Sequence, residues 1–194
     1  EMIHSKVKKQ FYLILFLCSL SVFAKASYIF IPMEENQSNH LKAYGIAYYA
    51  LERNIKVDWL LNYQGGSFMI KYYKKIENEC NIRGVSYNII PDIQSNQILE
   101  SISSPSVNQD VVRLEKAPKI AIYSPKNKQP RDDAVTMALT FAEIPYDVVY
   151  DDEVLSNLLP LYDWLHLHHE DFTGQYGKFY VSYKNATWYK EGKK

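Results

Sequence analysis

Cysteine is almost absent from this chain, which contains Cys18 and Cys80 and no others. Only Cys80 follows the N-terminal segment that we predict below to be removed, so no disulfide can form within the remaining chain. Net charge is also lacking, since 22 basic residues balance 22 acidic ones. Neither nucleic acid nor an anionic membrane surface is therefore indicated as a partner.

The chain also lacks the apolar run of roughly 20 residues that a membrane-spanning helix needs. The apolar-leaning run over residues 11–23 follows three lysines and precedes Ala24-Lys25-Ala26. This order is typical of a secretory signal. We predict a signal peptide within residues 1–26, with Glu1 extraneous, and an exported protein of the periplasm or extracellular space that keeps no stable membrane span after cleavage.

Strand and helix patterns alternate along the rest of the chain. Strands are predicted at residues 27–31, 56–61, 86–90, 119–123, 146–150 and 162–168, and helices at 41–53, 68–83, 92–103, 132–143 and 154–159. This alternation predicts an α/β fold with a mostly parallel sheet and helices on both faces. We expect two similar halves, residues 27–105 and 118–194, joined by a connection at 106–117, with the second half truncated at its C-terminus.

Ligands of parallel sheets bind at the carboxyl ends of the strands, where helix N-termini present free N–H groups. We therefore expect three loops of this chain to converge on one common sheet edge. The first candidate loop there contains Gly65, Gly66 and Ser67, whose backbone could approach an anion closely. The alternative is a plain tight turn with Ser67 as the N-cap of a helix. The chain contains no Gly-x-Gly-x-x-Gly, phosphate-loop or Gly-x-Ser-x-Gly motif that would decide for a nucleotide or a nucleophile.

A second candidate loop, residues 124–133, carries Lys126 and Arg131 directly after a predicted strand. These cations could hold the carboxylate or phosphate of a ligand. They could equally belong to a solvated surface loop, as charge runs commonly do.

The third candidate loop contains His166, His168, His169, Glu170 and Asp171. Imidazoles and carboxylates can move protons near neutral pH or ligate a metal. We predict His168, His169 and Glu170 as catalytic candidates, His166 and Asp171 as ligand-binding residues, and His168 with Glu170 as the ligands if a metal is bound. Hydrogen-bonded structural histidines are the other interpretation, and the sequence does not identify a cofactor.

Four blocks of the sequence carry a resemblance to a known family: residues 39–45 (NHLKAYG), 57–67 (VDWLLNYQGGS), 114–121 (LEKAPKIA) and 162–177 (YDWLHLHHEDFTGQYG). They resemble a family of exported Bacteroidetes proteins commonly labelled asparagine synthetase B. The resemblance covers nearly the whole chain after residue 26. It implies glutamine-hydrolysing, amidotransferase-type activity.

The second half also resembles the flavodoxin-like layout of class I glutamine amidotransferase-like domains, through its strands at 119–123 and 162–165. No catalytic residue can be carried over from either resemblance. Ile3, not a cysteine, follows Met2, no nucleophile-elbow cysteine is present, and no Asp-Ser follows Gly65-Gly66-Ser67 as in an ATP pyrophosphate loop.

Three functional hypotheses follow. The first is an exported amidotransferase-like domain that binds a small polar ligand at the carboxyl edge of its sheet. The second is a hydrolase or amidotransferase-type enzyme that uses His168, His169 and Glu170. The third is a cell-envelope interaction module whose tyrosine-rich C-terminal segment contacts another protein.

Overall fold

The structure, a computed structural model, describes residues 27–124, 134–167 and 175–192. The chain divides into two compact units between Lys116 and Ala117. The predicted signal peptide lies outside the described residues. Among the residues that are described, no helix is long and apolar enough to cross a membrane.

The first unit is built on a five-stranded antiparallel sheet. Its strands are β1 (Tyr28–Ile31), β2 (Val57–Leu61), β3 (Phe68–Lys71), β4 (Asn88–Ile90) and β5 (Asp110–Leu114). They lie in the order β4-β1-β3-β2-β5, and each neighbouring pair is antiparallel. β2 and β3 form a hairpin closed by the turn at residues 62–67.

Three helices accompany this sheet: α1 (His40–Leu51), α2 (Lys74–Arg83) and α3 (Asp92–Ile102). The side chain of Asn39 caps α1 by accepting a hydrogen bond from the Lys42 N–H at 3.2 Å. Gly84 ends α2 in the left-handed conformation, with φ of 65°. Both boundaries agree with the predictions and follow from local chemistry, a polar N-cap and a glycine C-cap.

Both faces of the five-stranded sheet pack against helices. On one face, Tyr44 of α1 contacts Phe68 of β3, with ring centroids 5.3 Å apart. On the opposite face, Ile98 and Ile102 of α3 pack in a cluster that includes Met69, and we call it the α3 cluster. Phe68 and Met69 point to opposite faces because successive strand residues alternate. The core of the first unit therefore lies in two layers, one on each side of the sheet.

The second unit contains a three-stranded parallel sheet within its described residues. Its strands are β6 (Ile120–Tyr123), β7 (Asp147–Val149) and β8 (Trp164–Leu167), in the order β7-β6-β8. Its helices are α4 (Ala134–Ala142), α5 (Asp151–Leu155), α6 (Gln175–Tyr183) and α7 (Thr187–Glu191), with a 3-10 turn at Leu159–Leu161. The central strand β6 is the most buried, since Ile120, Ala121 and Ile122 are at most 3% exposed.

The predicted fold class, a mostly parallel, flavodoxin-like sheet in two similar halves, is wrong. The larger sheet is antiparallel, and only the smaller one is parallel. The main cause is the predicted helix at residues 68–83, which divides into strand β3 and helix α2. β3 inserts between β1 and β2 and pairs antiparallel with both. In addition, residues 106–117, predicted as a connection, contain β5, which completes the first sheet.

Candidate functional site

The predicted glycine loop is the turn of the β2–β3 hairpin, so a strand follows it and not a helix. Gln64, Gly65 and Gly66 have positive φ angles of 44°, 77° and 86°. A Cβ on Gly65 would lie 2.3 Å from the Met33 carbonyl oxygen, because the turn packs directly on that backbone. The Met33 N–H also donates to the Gln64 carbonyl at 2.9 Å. Gly65 therefore allows close approach of the protein's own backbone.

Ser67 is fully buried in the same turn. Its hydroxyl donates to the Tyr63 carbonyl at 2.9 Å. The same carbonyl accepts the backbone N–H groups of Gly66 and Ser67 at 3.1 and 3.0 Å. These three donors are thus bonded inside the turn. The alternative prediction, Ser67 as a helix N-cap, is wrong because β3 follows.

Of the predicted ligand or catalytic residues in the second unit, His166 alone lies among the described residues. Lys126, Arg131, His168, His169, Glu170 and Asp171 lie outside them. His166 is half-buried on β8, in register with Ile122 of β6, and its ring lies 6.4 Å from that of Trp164. Residues 64–67 connect strands of the first sheet whereas His166 belongs to the second, so the expected common sheet edge is wrong.

A cavity of about 550 Å³ lies at the carboxyl ends of β6 and β8, and we call it the strand-end cavity. Its lining consists of Tyr123, Asp151, Val154, Leu155, Leu159, Leu165 and Leu167. Tyr123 and Leu167 are the last residues of their strands, and Asp151 is the first residue of α5. Because Leu165 and Leu167 alternate with His166 along β8, the cavity and that imidazole lie on opposite faces.

The polar group of the strand-end cavity is a hydrogen-bonded pair. The Tyr123 hydroxyl donates to Oδ1 of Asp151 at 2.6 Å, while the Tyr123 ring lies 5.2 Å from that of Tyr150. The next residue along the chain, Ser124, is also notable. Its Oγ is fully buried and has no hydrogen-bond partner among the described residues, which is rare for a buried hydroxyl. At the end of β6, Tyr123 thus contacts the exposed Asp151 carboxylate of α5, and the neighbouring Ser124 hydroxyl is buried without a partner among the described residues.

A second cavity, of about 280 Å³, lies on the five-stranded sheet of the first unit, and we call it the sheet-face cavity. Its lining consists of Tyr28, Asn54, Ile55, Lys56, Asp58, Met69, Lys71, Tyr73 and Arg113. Unlike the strand-end cavity, it is lined by several charged side chains. It lies on the face that also carries α3, since Met69 borders both the α3 cluster and this cavity.

Asp58 and Arg113 form the central ion pair of the sheet-face cavity. The Arg113 Nε donates to Asp58 Oδ1 at 2.8 Å and its Nη2 donates to Oδ2 at 3.3 Å. Asp58 is 8% exposed. The hydrogen bond from Arg113 to the Asp58 carboxylate raises the pKa of the guanidinium above its already high value. Arg113 is therefore a permanent cation at this site.

The described residues contain neither a metal centre nor a reactive thiol. Across residues 27–124, 134–167 and 175–192, no group of three or more His, Cys, Asp or Glu side chains is placed to hold a metal ion. Cys80 on α2 is fully buried, and this burial raises the pKa of its thiol to about 12. A thiol of that kind is a packing group and not a nucleophile.

Sequence reasoning missed the sheet-face cavity. The available signal was Asp58, a carboxylate inside the otherwise apolar strand VDWLL, since such residues are rarely buried without a partner. Its partner Arg113 lies 55 residues away, in a segment whose secondary structure the sequence did not determine.

Comparison of the chain with protein-family models, curated proteins and solved structures found no match.

Proposed function

We propose that the second unit binds a small ligand with an apolar body and a donor or cationic head in the strand-end cavity. The observation that supports this is the position of a cavity of about 550 Å³ at the carboxyl ends of β6 and β8. Parallel sheets bind ligands at this edge. The volume falls within the roughly 300–1,000 Å³ usual for small-molecule sites. The sequence predicts a small polar ligand at the carboxyl edge of the sheet. The proposal keeps that edge, on the face opposite His166, but the lining favours a ligand with an apolar body.

The lining determines the class of ligand. Five aliphatic side chains, from Val154, Leu155, Leu159, Leu165 and Leu167, offer contact to an apolar body. The polar contact is the Asp151 carboxylate, whose Oδ1 accepts the Tyr123 hydroxyl and whose Oδ2 accepts from no other described residue. An ionised carboxylate only accepts hydrogen bonds. A ligand head that donates, above all an ammonium, is therefore preferred over an anion.

The test uses two probes that differ mainly in the charge of their head group, 2-phenylethylamine and phenylacetate. Each is titrated into the full chain and followed by ligand-observed NMR. We expect saturable binding of the amine and weaker or no binding of the acid. Asp151→Asn should remove this preference, because it removes the charge but keeps an amide at the same position.

A matched pair of variants tests the location. Val154 and Leu158 are 37% and 38% exposed, but of the two only Val154 lines the cavity. Val154→Trp should fill the cavity and abolish binding of the amine, whereas Leu158→Trp should not. Equal effects of the two variants, or equal binding of both probes, would overturn the proposal.

The enzymatic alternative stays a prediction. It depends on His168, His169 and Glu170, which lie outside the described residues.

The interaction-module alternative also stays a prediction, and one observation favours it. α6 and α7 carry a cluster of aromatic rings in which Phe179 lies 4.8 Å from Tyr183 and 6.1 Å from Trp188. Val181 and Trp188 are 68% and 56% exposed, and exposed apolar patches commonly mark protein contacts. Solution mass with and without residues 172–194 tests it, because the same oligomeric state for both chains would exclude self-association through this segment.

A further inference from the structure

The sheet-face cavity occupies the part of the sheet face next to the α3 cluster. The strand register places Tyr28 opposite Lys71, and Asp58 opposite both Met69 and Arg113. These five side chains share one face because directly paired residues and residues two apart along a strand point the same way. The same face carries the cluster of α3 with Phe30 and Leu60, so the cavity begins where that cluster ends.

Arg113 is held in one orientation but keeps part of its hydrogen-bonding capacity. A guanidinium has five N–H donors in a planar fork. Nε and Nη2 each use one of them on Asp58, and the remaining donors, two on Nη1 and one on Nη2, have no partner among the described residues. Nη1 and Nη2 form the second bidentate edge of the fork, which matches the two oxygens of a carboxylate or phosphate.

The charges of the cavity favour an anion. Three cations line it, Lys56, Lys71 and Arg113, against the single carboxylate of Asp58. Lys56 is already neutralised by Glu115, which lies outside the lining, at 2.6 Å. Lys71 has neither an ion pair nor a side-chain hydrogen bond among the described residues. The uncompensated cation of the lining is therefore Lys71, which the strand register places opposite Tyr28, and it lines the same cavity as Arg113.

We propose that the sheet-face cavity binds a small ligand through its carboxylate or phosphate group. The free edge of Arg113 and the ammonium of Lys71 contact the oxyanion, and the hydroxyls of Tyr28 and Tyr73 lie within the same lining to donate further hydrogen bonds. Asp58 is a positioning residue that holds the guanidinium. The volume of about 280 Å³ lies just below the range of roughly 300–1,000 Å³ for drug-sized ligands, so the ligand is smaller than these.

The test is titration of the full chain with inorganic phosphate and, in a separate experiment, with succinate. Two-dimensional amide NMR monitors binding, at a low ionic strength of about 0.01 M so that salt does not screen the charges. We expect saturable shifts of the amides around Tyr28, Lys71 and Arg113. The tighter of the two probes distinguishes a phosphate ligand from a carboxylate one. This cavity and the strand-end cavity belong to different units, so either proposal can fail alone.

Three variants locate the binding. Arg113→Ala should weaken the tighter probe by about tenfold or more, as expected for loss of a charge-assisted bidentate contact. Lys71→Gln, at an exposed position that tolerates exchange, should weaken it several-fold. Arg53→Ala is the matched control, because it removes the same charge from a surface pair with Glu52 outside the cavity, and it should bind normally.

Two results would overturn the proposal. One is the absence of saturable binding for both probes. The other is an equal loss of affinity in Lys71→Gln and Arg53→Ala, which would show that only the general ion atmosphere is being measured. Because Lys71→Gln does not touch the Asp58–Arg113 pair, it keeps the test decisive even if Arg113→Ala is poorly folded.

Discussion

Asp58 and Arg113 lie opposite each other on neighbouring strands, and the two ends of their ion pair differ sharply in exposure. The carboxylate side chain of Asp58 is 10% exposed, whereas the side chain of Arg113 is 60% exposed. The carboxylate has therefore lost most of its water and relies on the guanidinium for hydrogen bonds. The guanidinium, in contrast, remains largely hydrated.

This asymmetry predicts how the pair contributes to stability. Arg113→Ala should lower the free energy of unfolding by about 1 kcal/mol, because it leaves the Asp58 carboxylate without its donors while solvent screens the exposed cation. Urea unfolding measures this change. The double variant Asp58→Ala/Arg113→Ala should cost less than the sum of the single variants.

Lys56→Ala is the control for the pair. It breaks the contact with Glu115, in which both side chains are about 60% exposed, and it should leave the urea midpoint unchanged. If the two single variants of Asp58 and Arg113 were additive, the bidentate contact would contribute nothing.

Much of the local structure could be predicted from the sequence, since the predicted strands and most helices are present within a few residues. The sheet direction could not, and the reason lies in β3. Phe68, Met69 and Ile70 are all at most 1% exposed, because helices pack on both faces of the sheet. Such a strand shows no alternation of polar and apolar residues, and a short apolar run followed by a helix reads as one helix.

The candidate sites show the same limit. The sequence predicts a ligand site at the carboxyl ends of parallel strands, and this stays a prediction. The strand-end cavity lies at that edge, on the face of β8 that carries Leu165 and Leu167. The sheet-face cavity depends on the register that brings Asp58 beside Arg113. Register arises from the pairing of strands that are distant in sequence, so local sequence patterns do not predict which residues lie opposite each other.

The Gly65 turn provides a second stability prediction. Gly65→Ala should destabilise the chain by about 3 kcal/mol or more, because a left-handed backbone costs alanine roughly 1–2 kcal/mol and its Cβ would also meet the Met33 carbonyl oxygen at 2.3 Å. Gly84→Ala is the matched control. Gly84 has a similar φ of 65°, but nothing lies within 4 Å of a Cβ there, so only the backbone cost of roughly 1–2 kcal/mol should appear in thermal unfolding.

If both glycine variants lost the same stability, the close approach to Met33 would be unimportant. The turn would then require only a left-handed conformation. A clearly larger loss in Gly65→Ala supports the packing of the turn on the Met33 backbone.

Glu77 provides a prediction at acidic pH. The hydrogen bond from Lys74 lowers the pKa of the Glu77 carboxyl most, followed by that from the Tyr72 hydroxyl. Its oxygen Oε2 accepts these bonds at 2.9 and 2.8 Å. A lowered pKa in the folded state gives stability that is present above the unfolded pKa, about 4.3, and lost as pH falls through the folded value.

We therefore expect Glu77→Gln to flatten the fall in Tm between about pH 5 and pH 3. Glu100→Gln is the control, since Glu100 is exposed on α3 and forms no ion pair among the described residues. Scanning calorimetry at several pH values gives the slopes. Identical slopes for wild type and Glu77→Gln would contradict the role of this carboxylate.

Cys80 provides a prediction of chemical reactivity. In a Cys18→Ser background, the thiol should react with a disulfide reagent at pH 8 about three orders of magnitude more slowly in the folded chain than in urea. The reason is that burial raises its pKa to about 12, whereas an unfolded cysteine ionises near 8.5. Absorbance of the released thiolate measures both rates.

The same raised pKa predicts a loss of stability at alkaline pH. A thiol whose pKa is higher in the folded state stabilises that state fully below the unfolded pKa, near 8.5, and this contribution declines as pH rises toward 12. The Tm of the Cys18→Ser chain should therefore fall more steeply between about pH 9 and pH 11 than that of the same chain carrying Cys80→Ala. Parallel curves, or rapid labelling of the folded chain, would mean that the thiol is accessible and that α2 does not pack as described.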